Sequence, residues 1–435
     1  MSHSHTHAIR SSRLINQTPV YYGWVILLMG TLGMIMTAPG QTYAVSIFIE
    51  HLIADLGLSR SLVSSLYTMG TLVGSFILPL VGRQIDHRGP RVVMTLIALF
   101  FGFACIYMGF VANAVMLGLG FIFIRMLGQG SLGMVSTNAI NQWWVRRRGT
   151  MMGLSGLMVS LLGLGGFPAL INWLIPIYGW RATYILLGLV LLVWFAPLVI
   201  MLVRDQPEQY GLQPDGFVLA STENRVTEHG VNEENWTLAE ARRTPAFWIM
   251  GLGIASIAML GTGLFFHMVS IFKDNGLDSS TAAWVYVPIA LTTAVVTVGS
   301  GVLVDRIGMR FLLATALFLQ TTSLLLAQFL QGAETAFLYG MILGATMGLM
   351  GMVNGVGWAK YYGRKHLGSI TGVTSTILIL GAALGPMPLG IARDWMGNYN
   401  AVLTLCALIP FGLGIASLFM GRPKKVASVR KREVF

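Results

Sequence analysis

Twelve times along this chain an apolar run appears that is long enough to cross a bilayer, for which a helix needs roughly 20 residues. The runs fall at 22–48, 61–82, 91–111, 115–138, 150–174 and 181–203, then at 246–271, 281–304, 311–331, 336–358, 368–391 and 398–420. Their length, and the lack of strict alternation, predicts helices rather than strands. Of the 435 residues, 55% are hydrophobic and 10% are charged, against about 25% charged in a soluble domain. A water-soluble globule is excluded.

The basic residues give the orientation. With both termini in the cytoplasm, 23 of the 28 Lys and Arg residues fall inside and only Arg60, Arg181, Lys273 and Arg393 fall outside. Arg125 lies within the fourth span. Cytoplasmic loops carry this excess in multi-pass proteins, so the net charge of +11 calls for no nucleic-acid partner. The start of the chain is polar, without the apolar stretch of a cleavable signal. Its alternating His3, His5 and His7 read as a disordered tail rather than a metal site. Cys105 and Cys406 each sit in an apolar run and are expected to pack without a disulfide.

The chain also repeats itself. Val45-Ser46-Ile47-Phe48 returns as Val269-Ser270-Ile271-Phe272, at an offset of 224 that also pairs Trp24 with Trp248 and Tyr43 with His267. "GRQIDHRGPR" (82–91) returns as "GVLVDRIGMR" (301–310), sharing G-x-x-x-D-x-x-G-x-R at an offset of 219. Asp55-x-Gly57 and Asp274-x-Gly276 keep that same offset. The expected fold is therefore an all-α membrane protein of twelve transmembrane helices in two pseudo-symmetric halves. The expected parts are a tail at 1–20, a six-helix half at 21–203, a cytoplasmic linker at 204–245, a second half at 246–421 and a basic tail at 422–435. Within the linker, Thr237-x-x-Glu240 has the spacing of a capping box.

The duplicated loop resembles that of the major facilitator superfamily. Gly82, Asp86, Gly89 and Arg91 match its motif, as do Gly301, Asp305, Gly308 and Arg310. "RMLGQGSLG" (125–133) resembles its fourth-span motif. "WWVRRRGTMMGLSG", "YGWRATY" and "YYGRKHLGSITG" resemble the branch of monocarboxylate transporters and oxalate/formate antiporters. The resemblance implies alternating access in the cell (plasma or inner) membrane by a monomer, and no enzyme activity. It also implies a basic residue within span eight or eleven to hold a carboxylate. Neither span carries one here, so either Arg125 takes that role or the substrate is less anionic.

The eight motif residues are gate candidates, since a carboxylate can cap the N–H groups of a neighbouring helix and pair with an arginine. Polar groups inside the membrane are the substrate-site candidates. No Asp or Glu falls near the middle of a span. Arg125 reads as an anion anchor, a proton-coupling element or a structural cation bonded to helix carbonyls. His267 reads as a proton carrier or as a neutral cavity histidine. Gln41, Tyr43, Tyr67, Asn138, Tyr286, Asn354 and Trp358 complete the set, with Asn141, Gln142 and Gln320 as weaker members. The chain carries no nucleotide-binding loop, H-E-x-x-H or nucleophile elbow, so no cofactor or metal is expected. The function expected is secondary active transport of a small organic solute, a carboxylate, with proton coupling. The alternative is an exporter of amphipathic compounds, favoured by the 25 methionines.

Overall fold

The computed structural model describes residues 13–216 and 234–423. The tail histidines, the middle of the linker and the end of the basic tail lie outside these residues. Among the described residues the chain is helical throughout, with no strand.

Among the described residues, ten helical segments are long and apolar enough to cross a membrane. Two of them, Leu62–Gly109 and Arg148–Leu202, contain 48 and 55 residues. At 1.5 Å per residue each would run more than about 70 Å, over twice a bilayer core. Each contains one glycine with left-handed φ, Gly89 at 81° and Gly179 at 78°, where helical geometry is interrupted. Divided there, the described helices make twelve segments that correspond to the twelve apolar runs. The sequence places a loop at 82–91, whereas the structure carries helix almost to Gly89. Only a residue without Cβ adopts that φ cheaply, and Pro90 then starts the next helix at a position where its missing N–H costs nothing.

Spans one, two, eight and eleven are interrupted within their predicted runs, and the breaks in spans one and eleven fall at a proline. Span one runs as Gly23–Ile35, turns through Ala38–Gly40 and resumes as Thr42–Leu56. Span eleven runs as Leu367–Leu384 and restarts as Pro386–Met396. Proline at each of these two breaks removes a helix donor. Span seven, Pro245–Asp274, is continuous. The predicted capping box forms, with Thr237 N donating to Glu240 Oε2 at 2.7 Å. Cys105 and Cys406 are buried and free.

Apolar packing is distributed unevenly. One cluster lies wholly within the first six spans, from Met29 to Val203. Another lies within spans seven to twelve, around Leu264, Ile289 and Tyr339. The third joins the halves on the side that carries the linker, where Ile140, Trp144 and Met152 pack with Met250, Val304, Met352 and Ile370.

Candidate functional site

The linker side is closed by two equivalent contacts. Span five starts at Arg148 and span eleven at Leu367, so each leaves unpaired N–H groups in its first turn. Gly368 N and Ser369 N donate to Asp86 Oδ1 and Oδ2, both at 2.7 Å. Gly149 N and Thr150 N donate to Asp305 Oδ1 and Oδ2 at 3.1 and 3.2 Å, and Thr150 Oγ1 adds a bond at 3.1 Å. The aspartates are 305 − 86 = 219 positions apart, and so are their partners, 368 − 149 = 219. Each half thus offers a carboxylate to a helix start of the other half.

Glycines make the approach possible. A Cβ on Gly82 would stand 2.0 Å from the Gly368 carbonyl oxygen, and one on Gly149 would stand 2.3 Å from that of Gly301. These pairs obey the same offset, since 301 − 82 and 368 − 149 are both 219.

The remaining motif positions divide. Arg91 does not pair with Asp86. Its Nε and Nη2 donate to the Ile200 carbonyl, and its backbone N donates to Asp205 Oδ1 at 2.9 Å. It ties span three to the end of span six. Arg310 stacks 4.6 Å over Phe311. Gly308 has an ordinary φ of −64°, so the second copy of the motif needs no left-handed residue.

Further bonds bridge the halves on this side. Asn138 Nδ2 donates to Thr371 Oγ1 at 3.0 Å and Asn141 Nδ2 to the Gly355 carbonyl at 2.9 Å. Gln142 Nε2 donates to the Arg364 carbonyl, and Arg364 Nη1 to that of Gln142. Buried Arg148 reaches from Asn141 O to Ala359 O. The described bond between halves that lies deepest in the membrane is Thr376 Oγ1 to Ser75 O, at 2.7 Å. Beyond that level no described hydrogen bond crosses between the halves. The far-side ion pairs, Arg181–Asp55 at 2.7 Å and Arg393–Asp274, each stay within one half.

The linker's ends dock onto the same loops. Asp215 accepts from Val145 N, Arg146 N and Arg147 N at 2.9–3.1 Å. Its φ of 60° is the left-handed value that a non-glycine residue adopts at a cost. Asn235 Oδ1 accepts from Lys365 N at 3.1 Å, and Lys365 is the 219-offset equivalent of Arg146. Both linker ends therefore brace loops whose next residues Asp86 and Asp305 cap.

Arg125 is 5% exposed and lies in a wide π-type turn, Arg125–Leu132. Nε donates to Thr71 Oγ1 at 2.8 Å and Nη1 to the Gly40 carbonyl at 2.8 Å, with a longer bond to Thr42 Oγ1. The break in span one frees the Gly40 carbonyl from helix bonding. Gly40 itself abuts span four, where a Cβ would stand 2.2 Å from Ile124 O. Tyr67 lies under the guanidinium at 4.6 Å and donates to Thr42 Oγ1 at 2.8 Å. Gln41 Nε2 donates to Thr37 Oγ1 at 3.0 Å, and half-buried Tyr43 follows on the resumed helix. Gln41, Tyr43, Tyr67 and Arg125 are thus gathered at the broken first span.

Other candidates lie elsewhere. Trp358 is buried among Phe247 and Tyr362 and donates to Asn354 Oδ1 at 3.3 Å, one turn away. Tyr286 stacks on Phe265 at 5.9 Å and is half-exposed. Gln320 is fully buried, bonded to Ser323. His267 uses both ring nitrogens, Nε2 with the Pro386 carbonyl at 3.0 Å and Nδ1 with Tyr399 Oη at 3.1 Å. Sequence reasoning passed over Asp215, Asn235, Thr376 and Tyr399. For the first two no sequence signal was present, since the loops they cap lie 70 and 130 positions away.

The described helices, closed against each other on one side by equivalent contacts, make a multi-pass membrane protein. Residues 30–386 and 257–434 match the Major Facilitator Superfamily, and the chain belongs to that superfamily. It is 25% identical over 398 residues to a "probable sulfoacetate transporter" of Cupriavidus necator, covering 84% of this chain and 86% of that one. It is 25% identical over 260 residues to the oxalate:formate antiporter of Oxalobacter formigenes, covering 58% of this chain and 56% of the relative. The human organic anion transporter MFSD10 shares the fold, with a TM-score of 0.63, 15% identity, and coverage of 93% of this chain and 99% of that one.

Proposed function

We propose that this protein is a secondary transporter of a small organic anion, working by alternating access with its linker side in the cytoplasm. The observation that carries the mechanism is the reciprocal capping of Gly368 and Ser369 by Asp86 and of Gly149 and Thr150 by Asp305. Charge-assisted bonds that exist only in one arrangement bias a two-state equilibrium by what they contribute to that arrangement. Here they hold the cytoplasmic side shut and leave the far side to receive solute.

Two features favour an anion. The relatives above are named for sulfoacetate, oxalate and formate, all small organic anions. Among the described residues, the one charge near the middle of a span is the Arg125 cation, beside Tyr67 and the Gln41–Tyr43 turn. The bonds to Thr71 and Gly40 hold that cation in place. The test is exchange in proteoliposomes preloaded with a panel of small carboxylates and sulfonates. Saturable exchange of at least one labelled acid, above that of empty liposomes, is expected. If no acid exchanges while a hydrophobic dye is moved, the amphipathic-exporter reading replaces this one.

A further inference from the structure

The two halves do not fill the linker side completely. Beside the Asp86 contact lies a cleft of about 450 Å³. A smaller one, about 220 Å³, shares His87, Gln142 and Lys365 with it. A third, about 290 Å³, shares His366 and Ser369. The first half supplies His87, Arg88 and Gln142 to these walls, and the second supplies Arg364, Lys365 and His366. The cavities therefore sit on the seam that closure creates.

Their charges do not cancel. Five cations line them, Arg83, Arg88, Arg242, Arg364 and Lys365, against three carboxylates, Asp86, Asp205 and Glu208. The carboxylates are engaged. Asp86 places both oxygens on the Gly368 and Ser369 N–H groups, Asp205 accepts from Arg91 N, and Glu208 pairs with Arg364. Arg88 and Lys365 are exposed and make no ion pair among the described residues.

Gln142 adds a more specific demand. It is 6% exposed and lines two of the three cavities. Its Nε2 donates to the Arg364 carbonyl, while its Oε1 receives no hydrogen bond among the described residues. A buried amide oxygen without a donor costs free energy. A hydroxyl group placed in the cleft would supply that donor.

We infer that this cleft is a regulatory site on the linker side for a small hydroxylated polyanion, a polycarboxylate or a phosphate ester. The site is separate from the path of the transported solute, so it goes beyond the transport reading above. Arg88 and Lys365 supply cations, and Gln142 takes the hydroxyl. These groups belong to opposite halves, Arg88 and Gln142 to one and Lys365 to the other. Opening the linker side parts them. A ligand that touches both walls binds the closed arrangement more tightly, and it shifts the equilibrium by the ratio of its two affinities. As such an anion accumulates on the linker side, it holds that side shut and slows the cycle.

The test uses citrate and fructose 1,6-bisphosphate, one hydroxylated polyanion of each kind, with purified protein at fixed ionic strength. Calorimetry is expected to show at least one of them binding with a Kd below about 1 mM. Whichever binds more tightly says whether carboxylate or phosphate is preferred. Lys365→Gln should weaken binding about ten-fold, the effect of losing one charged hydrogen bond. Lys273→Gln, the same charge change on the exposed far side, should leave it unchanged. The second readout is hydrogen exchange at Gly149 and Thr150, whose N–H groups Asp305 holds. Neither residue lines the cavities, so a bound probe cannot slow them by shielding. A shift toward the closed arrangement can, and exchange there should slow about ten-fold. The inference is overturned if neither probe binds, if Lys365→Gln binds as tightly as Lys273→Gln, or if binding leaves exchange at 149–150 unchanged. Neither readout involves transport, so failure here leaves the proteoliposome result standing, and failure there leaves this one interpretable.

Discussion

Replacing Gly82 by alanine tests the closure by bulk alone. The added carbon would stand 2.0 Å from the Gly368 carbonyl oxygen and 2.7 Å from its carbon. Real carbon–oxygen contacts stop at about 3 Å, so spans two and eleven must part by about 1 Å, in a region packed too densely to absorb it. The Asp86 bonds to Gly368 N and Ser369 N are 2.7 Å long. Lengthened by that amount they leave bonding range. Two charge-assisted bonds contribute about 1.5–3 kcal/mol each, partly replaced by water once the gap opens. A net loss of about 3 kcal/mol changes the closed-to-open ratio by about two orders of magnitude. The assay is maleimide labelling, from the linker side, of a cysteine at Asn138, which is buried against span eleven. Gly299→Ala is the control, since a Cβ there meets nothing within 4 Å. Labelling should be much faster in Gly82→Ala than in the control. Equal rates would refute the claim that close backbone approach at Gly82 maintains the seal.

Other expectations follow from the same contacts. Arg125→Lys keeps the charge but cannot bond Thr71 and Gly40 together, so it should cost about 1–3 kcal/mol, read as a lowered unfolding temperature in detergent. Asp215→Ala releases three backbone N–H groups, and hydrogen exchange at 145–147 should accelerate by about ten-fold or more. Trp358→Phe removes one hydrogen bond and little bulk from a buried aromatic cluster, so exchange should keep its KM while thermal stability falls slightly.

Much of the architecture was legible because bilayer length and the offset of 219 are one-dimensional signals. The loop motif could be read twice, and the capping role of its aspartates follows from chemistry. Their partners required the fold, because Asp86 and Gly368 are 282 positions apart. The same offset, applied to "RRRGT" and "KHLGS", would have pointed to the two helix starts. Arg125 shows the opposite case. A buried cation is visible in sequence, but its acceptor is a carbonyl released by a break at Pro39-Gly40, within a run that reads as one span. Asn354 and Trp358 stand one turn apart on the same helix, and that spacing already allowed them to satisfy each other. His267 was visible as a lone imidazole. Its hydrogen bond to Tyr399 was not, since Tyr399 lies 132 positions away.

The central claim is that two equivalent aspartates, each capping the opposite half, hold the linker side shut. Spin-label distances between Gln84 and Arg306 in a protein carrying both Asp86→Asn and Asp305→Asn test it most directly. The account predicts a short, narrow distribution in the wild type, a partial shift in either single variant, and a predominantly long one in the double variant. A double variant that stays as short and narrow as the wild type would contradict it.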